Sequence, residues 1–74
     1  MKELINKKEL IKEGFEIYTT NNPNVIGAQI IIFKYKDKNL YQPWILNIKN
    51  KFMCDNVAYW DIEVAKQSID NYTI

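Results

Sequence analysis

Histidine and arginine are missing from this 74-residue chain, cysteine occurs once, and there are only two glycines. Each scarcity removes a class of chemistry. Without histidine there is no Ser-His-Asp or Cys-His arrangement to activate a nucleophile. One thiol and no imidazole fall short of a tetrahedral zinc site. Gly14 and Gly27 stand alone and make no phosphate-cradling loop. Cys54 has no partner for an internal disulfide. Its neighbours Phe52 and Met53 suggest a strand, so it reads as a half-buried structural thiol. The absence of arginine removes the planar fork that reads guanine and grips phosphate. Asp55 and Asp61 flank a short apolar segment, as a turn former and a helix cap rather than an acid/base pair. The expectation is a non-enzymatic protein with no catalytic residue, no metal ligand and no cofactor.

What is present is lysine. All ten basic residues are Lys, against nine acids, for a net charge of +1. The charge is uneven: residues 1–51 carry nine Lys and five acids, residues 52–74 one Lys and four acids. Such a chain is dipolar without being strongly basic. The length suits one domain, residues 1–74. The sequence opens on charged residues and holds no apolar run of membrane-spanning length, so neither a secretory signal nor a membrane partner is expected. With a single cysteine, the cytoplasm is the expected compartment.

The rest of the chain is organised around residues 27–48. The run Gln29 to Lys36 is β-branched and aromatic, which suits a pleated, half-buried surface. Strands Gly27–Lys36 and Leu40–Ile48 are expected, joined by Asp37-Lys38-Asn39 with Asn39 in the left-handed conformation. That turn sets Lys36 opposite Leu40. Ala28, Ile30, Ile32, Trp44, Leu46 and Ile48 then share the core face, because side chains alternate. The other face holds Gln29, Ile31, Phe33, Tyr35, Tyr41, Pro43, Ile45 and Asn47.

Around this hairpin the expected elements are few. Met1–Glu13 reads as helical, best formed over Lys7–Glu13 with Asn6 and Glu9 as a capping box and Gly14 as the stop. Phe15–Thr20 alternates as a first strand, and Thr19–Asn24 is a polar loop. Lys49-Asn50-Lys51 makes a turn into the short strand Phe52–Cys54, broken by Asp55-Asn56. Asp61 caps a helix over Ile62–Tyr72, whose stripe Ile62, Ala65, Ile69 and Tyr72 is expected to pack on Ile30, Ile32, Trp44 and Leu46. The fold class is α+β: a single antiparallel sheet of three or four strands flanked by an N-terminal and a C-terminal helix, in the order α-β-β-β-(β)-α.

Two surfaces are candidates for partners. Ile31, Phe33, Tyr35, Tyr41 and Ile45 are expected to form an apolar-aromatic patch that a soluble monomer seldom leaves bare; the N-terminal helix, a second copy or a target protein would cover it. Lys34, Lys36, Lys38, Lys49 and Lys51 are expected to gather at one end of the sheet. With Tyr35, Tyr41 and Trp44 nearby they offer a second reading, a nucleic-acid-binding module. A homo-oligomeric structural protein is a third.

The order helix, three strands, helix resembles the double-stranded-RNA-binding domain, and Glu63-Val64-Ala65-Lys66-Gln67 looks like the start of that family's second helix. Tyr59-Trp60-Asp61 stands where that family has a basic pair and a glycine-rich approach. The layout of Glu9–Ile48 is similar to a type II anti-CRISPR inhibitor: a short helix, a strand, a polar Asn/Thr loop and an isoleucine-rich hairpin. That inhibitor is acidic and mimics DNA, whereas this stretch carries Lys12, Lys34, Lys36 and Lys38. The resemblance therefore implies a small, cofactor-free, phage-type protein that inhibits a host CRISPR effector or other defence complex by binding protein. It transfers no site residue.

Overall fold

The computed structural model describes residues 10–54 and 57–74. Four strands form one antiparallel sheet in the order β1-β2-β3-β4, and one helix follows. The strands are β1 (Leu10–Ile17), β2 (Val25–Tyr35), β3 (Lys38–Asn47) and β4 (Phe52–Met53), and the helix is α1 (Ile62–Asp70). The α+β class, the antiparallel sheet and the C-terminal helix agree with expectation. The expected N-terminal helix does not: Leu10–Glu13 belong to β1, and the remainder of that segment lies outside the described residues. Gly14 stops no helix. It follows a register shift in the β1–β2 ladder, where Glu13 is the extra residue. Tertiary pairing with the long β2 overrides the local helical preference of Leu-Ile-Lys-Glu.

The hairpin forms, with a different turn. The connection is two residues long, Lys36-Asp37, and the left-handed residue is Lys36 (φ 56°), not Asn39. Leu40 consequently faces Phe33, three residues away from Lys36. An odd shift moves every side chain of one strand to the other face relative to its partner. Ala28, Ile30 and Ile32 now share their face with Ile45, Pro43 and Tyr41, while Gln29, Ile31 and Phe33 face Trp44, Gln42 and Leu40. Trp44 and Leu46 thus leave the expected core, Tyr41 and Ile45 enter it, and Ile48 is exposed.

The core on the helix side is small. Ile30, Ile45, Ala65 and Ile69 are buried together, with Tyr18, Val25, Ala28, Tyr41, Tyr59, Ile62 and Tyr72 packed around them. Ile62, Ala65 and Ile69 form the expected helical stripe on a corrected strand partner, while Tyr72, expected on the helix, packs from beyond its end at Asp70. Each fully buried isoleucine contributes about 1.5–3 kcal/mol. Asp61 caps α1, its Oδ1 accepting from the Glu63 amide at 2.9 Å, and Glu63 lies in the first turn, where the helix dipole favours an acid.

Polar side chains tie the far end of α1 down. Asn22 Nδ2 donates to the carbonyl of Ile69 (2.9 Å), which also accepts from the Tyr72 amide, and to that of Tyr72 (2.7 Å) just beyond the helix. Asp70 accepts from the Tyr18 hydroxyl (2.8 Å) and from Thr20 Oγ1 (2.6 Å). Asn47 is buried at the end of β3. Its Oδ1 accepts from the amides of Lys49 (2.9 Å) and Lys51 (3.1 Å), and its Nδ2 donates to the Tyr72 hydroxyl (3.2 Å). The polar loop 19–24 is therefore a helix clamp, and Asn47, expected on an open face, is a turn-forming hub.

β3 is interior to the sheet yet contains Pro43. The Tyr41 amide donates to Tyr59 and the Tyr59 amide to Tyr41, each at 2.8 Å, on the side of β3 away from β2. By alternation the Pro43 nitrogen faces that same side. It falls between the Tyr59 bridge and the rungs of β4 at Ile45 and Leu46, where its missing N–H leaves no rung broken.

Two predictions follow from these placements. Lys36→Gly relieves a left-handed residue and should stabilise the fold by about 1 kcal/mol, a rise of roughly 4–8 °C in Tm. Asn39→Gly should not; the reverse outcome in thermal melts would restore the three-residue turn. The second concerns Tyr18, whose phenol pKa is raised above 10.0, first by its hydrogen bond to Asp70, then by desolvation and by the charges of Asp70 and Glu63. The unfolded chain loses this proton first, so the contribution is full below about pH 10 and is lost as pH rises through the higher folded value. In urea titrations, the stability difference between the native chain and Tyr18→Phe should shrink between about pH 8 and about pH 11. An unchanged difference would show that the bond contributes nothing.

Candidate interaction surface

Among the described residues, the sheet face away from α1 is where apolar side chains left exposed collect. Alternation and register place Phe15 and Ile17 of β1 on it, opposite Ile31 and Gln29, together with Phe33, Trp44 and Leu46. Phe52 of β4 faces Leu46 and joins them. Phe15, Ile17 and Phe52 are 57%, 74% and 69% exposed, against buried Ile31 and Leu40 in the middle of the same face. The centre is thus covered by its neighbours and the margins are open, so the face is a surface with a packed floor.

An open groove of about 360 Å³ runs across it, lined by Lys12, Gln29, Ile31, Phe33, Gln42, Trp44 and Phe52. The Trp44 indole N–H donates to Gln42 Oε1 at 3.1 Å, which holds both side chains in place. Trp60, two residues before α1, closes the hairpin end. Its ring centroid lies 6.3 Å from that of Tyr35, with Lys38 Nζ 5.6 Å from the Trp60 centroid and Lys36 Nζ 5.4 Å from that of Tyr35. These cation–π contacts occupy two aromatic faces that would otherwise be free to stack on a base.

Of the five expected patch residues, Ile31, Phe33 and Tyr35 lie on this face. Tyr41 and Ile45 lie on the opposite one, under α1. Trp44, Phe15 and Phe52 take their place. Phe15 is a strand residue as expected, and Trp44 lies here because the two-residue turn sets it opposite Gln29. The expected lysine cluster is divided. Lys36 and Lys38 sit at the β2–β3 turn, and Lys34 pairs with Asn39 on the helix side. Lys49 and Lys51 sit at the β3–β4 turn, the length of β3 away, about 33 Å at ~3.3 Å per residue. Five lysines that were expected together thus form two separate groups.

A charge on the open face should be tolerated, and one under the helix should not. Phe52→Glu is expected to change stability by less than about 1 kcal/mol. Ile69→Asp and Ile45→Glu bury an unpaired charge in a small core and should leave the domain unfolded at room temperature, read by circular dichroism. Unfolding by Phe52→Glu would show that this face is covered core.

Among the described residues no helix is long and apolar enough to cross a membrane. No protein-family model, curated protein or solved structure matches this chain.

Proposed function

We propose that the protein is a non-enzymatic inhibitor that works by docking its open sheet face on another protein, in the manner of the phage-encoded anti-CRISPR proteins whose layout its sequence resembles. The observation that carries the docking reading is the concentration of exposed Phe15, Ile17 and Phe52 around the groove floored by Ile31, Phe33 and Trp44. Aromatic side chains dominate the energetic centres of protein interfaces, because they offer large contact area with few rotors to freeze. Strands of 8, 11, 10 and 2 residues, at ~3.3 Å per residue and ~4.8 Å apart, span roughly 500 Å² in projection, the scale of a small interface beside the ~800 Å² per partner of a standard one.

The inhibitor role rests on the layout resemblance. Its hairpin and polar loop have counterparts in β2, β3 and residues 19–24, while part of its opening helix is replaced by β1. The target class is a host CRISPR effector or another defence complex. The nucleic-acid reading draws less support, because its five lysines are split between two ends of the sheet.

The test is RNA-guided cleavage of a DNA target by a type II effector with the protein in excess. Cleavage should slow, and Phe33→Glu with Phe52→Glu should restore it while circular dichroism stays unchanged. Unaltered cleavage across a panel of effectors would end the anti-CRISPR assignment. Salt-sensitive nucleic-acid binding that is abolished by charge reversal at Lys34, Lys36 and Lys38 would install the other reading.

A further inference from the structure

We propose that the open-face groove receives a protein segment bearing one or two large apolar side chains beside a carboxylate. This rests on the reading of the open face as a docking surface and names the chemistry of its occupant. The groove, at about 360 Å³, lies near the lower end of the ~300–1,000 Å³ range of ligand sites. That is room for a few side chains on an extended or helical backbone. Its floor of Ile31, Phe33 and Trp44 requires an apolar occupant, since a polar group set there would lose water without gaining a partner.

Charge selects among apolar occupants. Among the described residues Lys12 is the one ionisable side chain in the lining, and no carboxylate is in it. The remaining polar groups are the amides of Gln29 and Gln42. Gln42 Oε1 already accepts from Trp44, so what Gln42 has left to offer is its N–H donors. A cation and amide donors beside an apolar floor call for an acceptor that carries negative charge. A second copy of this chain stacked face to face answers that poorly. Among the described acids, Glu16 opposes Ile30 on the helix side, Asp37 is in the β2–β3 turn, and Asp61, Glu63 and Asp70 belong to α1 or its cap, so the facing sheet offers Lys12 at most Glu13, the bulge residue beside Lys12 itself. A nucleic acid answers it poorly too, because one lysine on an apolar floor neutralises one phosphate and desolvates the rest.

The probe is a random twelve-residue peptide display library panned on the intact chain. Enriched sequences should join Leu, Phe, Tyr or Trp to Asp or Glu within about two positions, and Lys12→Glu should shift the selection toward Lys and Arg. Changing the acid of one selected peptide to its amide should weaken binding about two- to fivefold, the range of a half-exposed ion pair. The same change should have no effect with Lys12→Gln. Apolar peptides selected without acid preference, or a selection indifferent to Lys12→Glu, overturn this inference and leave the docking reading standing. Peptide binding unchanged by both Trp44→Ala and Phe52→Glu overturns both, since the peptides then bind elsewhere. If no peptide is enriched, and sedimentation shows a dimer that Phe52→Glu dissociates, the occupant is a second copy and the inference fails.

Discussion

The pairing of β2 with β3 decides what every other residue does. Ile30, Ile31, Ile32 and Phe33 are apolar in succession, so β2 alone does not say which of its faces is core. The turn decides. With two residues in the loop, Ile45 comes level with Ala28 and Trp44 with Gln29, and α1 settles over the isoleucines. The strain of a left-handed Lys36 at about 1–2 kcal/mol is small beside the burial of Ile30, Ile45 and Ile69, each about 1.5–3 kcal/mol. The burial wins, and the turn accepts a residue that local preference disfavours.

A core of four buried side chains holds a nine-residue helix only weakly. The asparagines supply the rest of the specificity. Asn22 and Asn24 reach from the 19–24 loop, and Asn47 from the end of β3, to Ile69, Tyr72 and the Tyr72 hydroxyl, so the last turn of α1 is fixed in direction as well as in depth. Asp70 is badly placed for the helix dipole, yet two hydroxyls donate to it and make it an anchor. Among the described residues no buried side-chain polar atom is left without a partner.

Periodicity made the helix, its cap at Asp61 and its stripe legible, because 3.6-residue spacing and a capping acid are local signals. The existence of the hairpin was legible for the same reason. Its register was not: two turn readings of Lys36 to Asn39 differ by little in local energy, and the deciding term comes from residues far along the chain. The candidate surface was read half correctly on that account. Ile31, Phe33 and Tyr35 are on β2 and kept their face; Tyr41 and Ile45 are on β3 and changed it. Leu10–Glu13 misled because Lys and Glu favour a helix in isolation, while the ladder with β2 rewards an extended chain. The clamp of 19–24 on α1 lacked any local signal, since asparagine reads the same in an idle loop as in a cap.

Pro43 and the brevity of β4 have a consequence for assembly. Beyond β3 the sheet offers two residues of strand, an N–H-less position and a single bridge at Tyr59, a broken template on which another chain finds few consecutive rungs. β1, at the other margin, is eight residues long. Strand-by-strand polymerisation needs two sticky ends per molecule, and among its described residues this one presents a single long edge, itself interrupted by the bulge at Glu13. Association through that edge closes on itself after one step, so the sheet is built to terminate where a fibre would have to propagate.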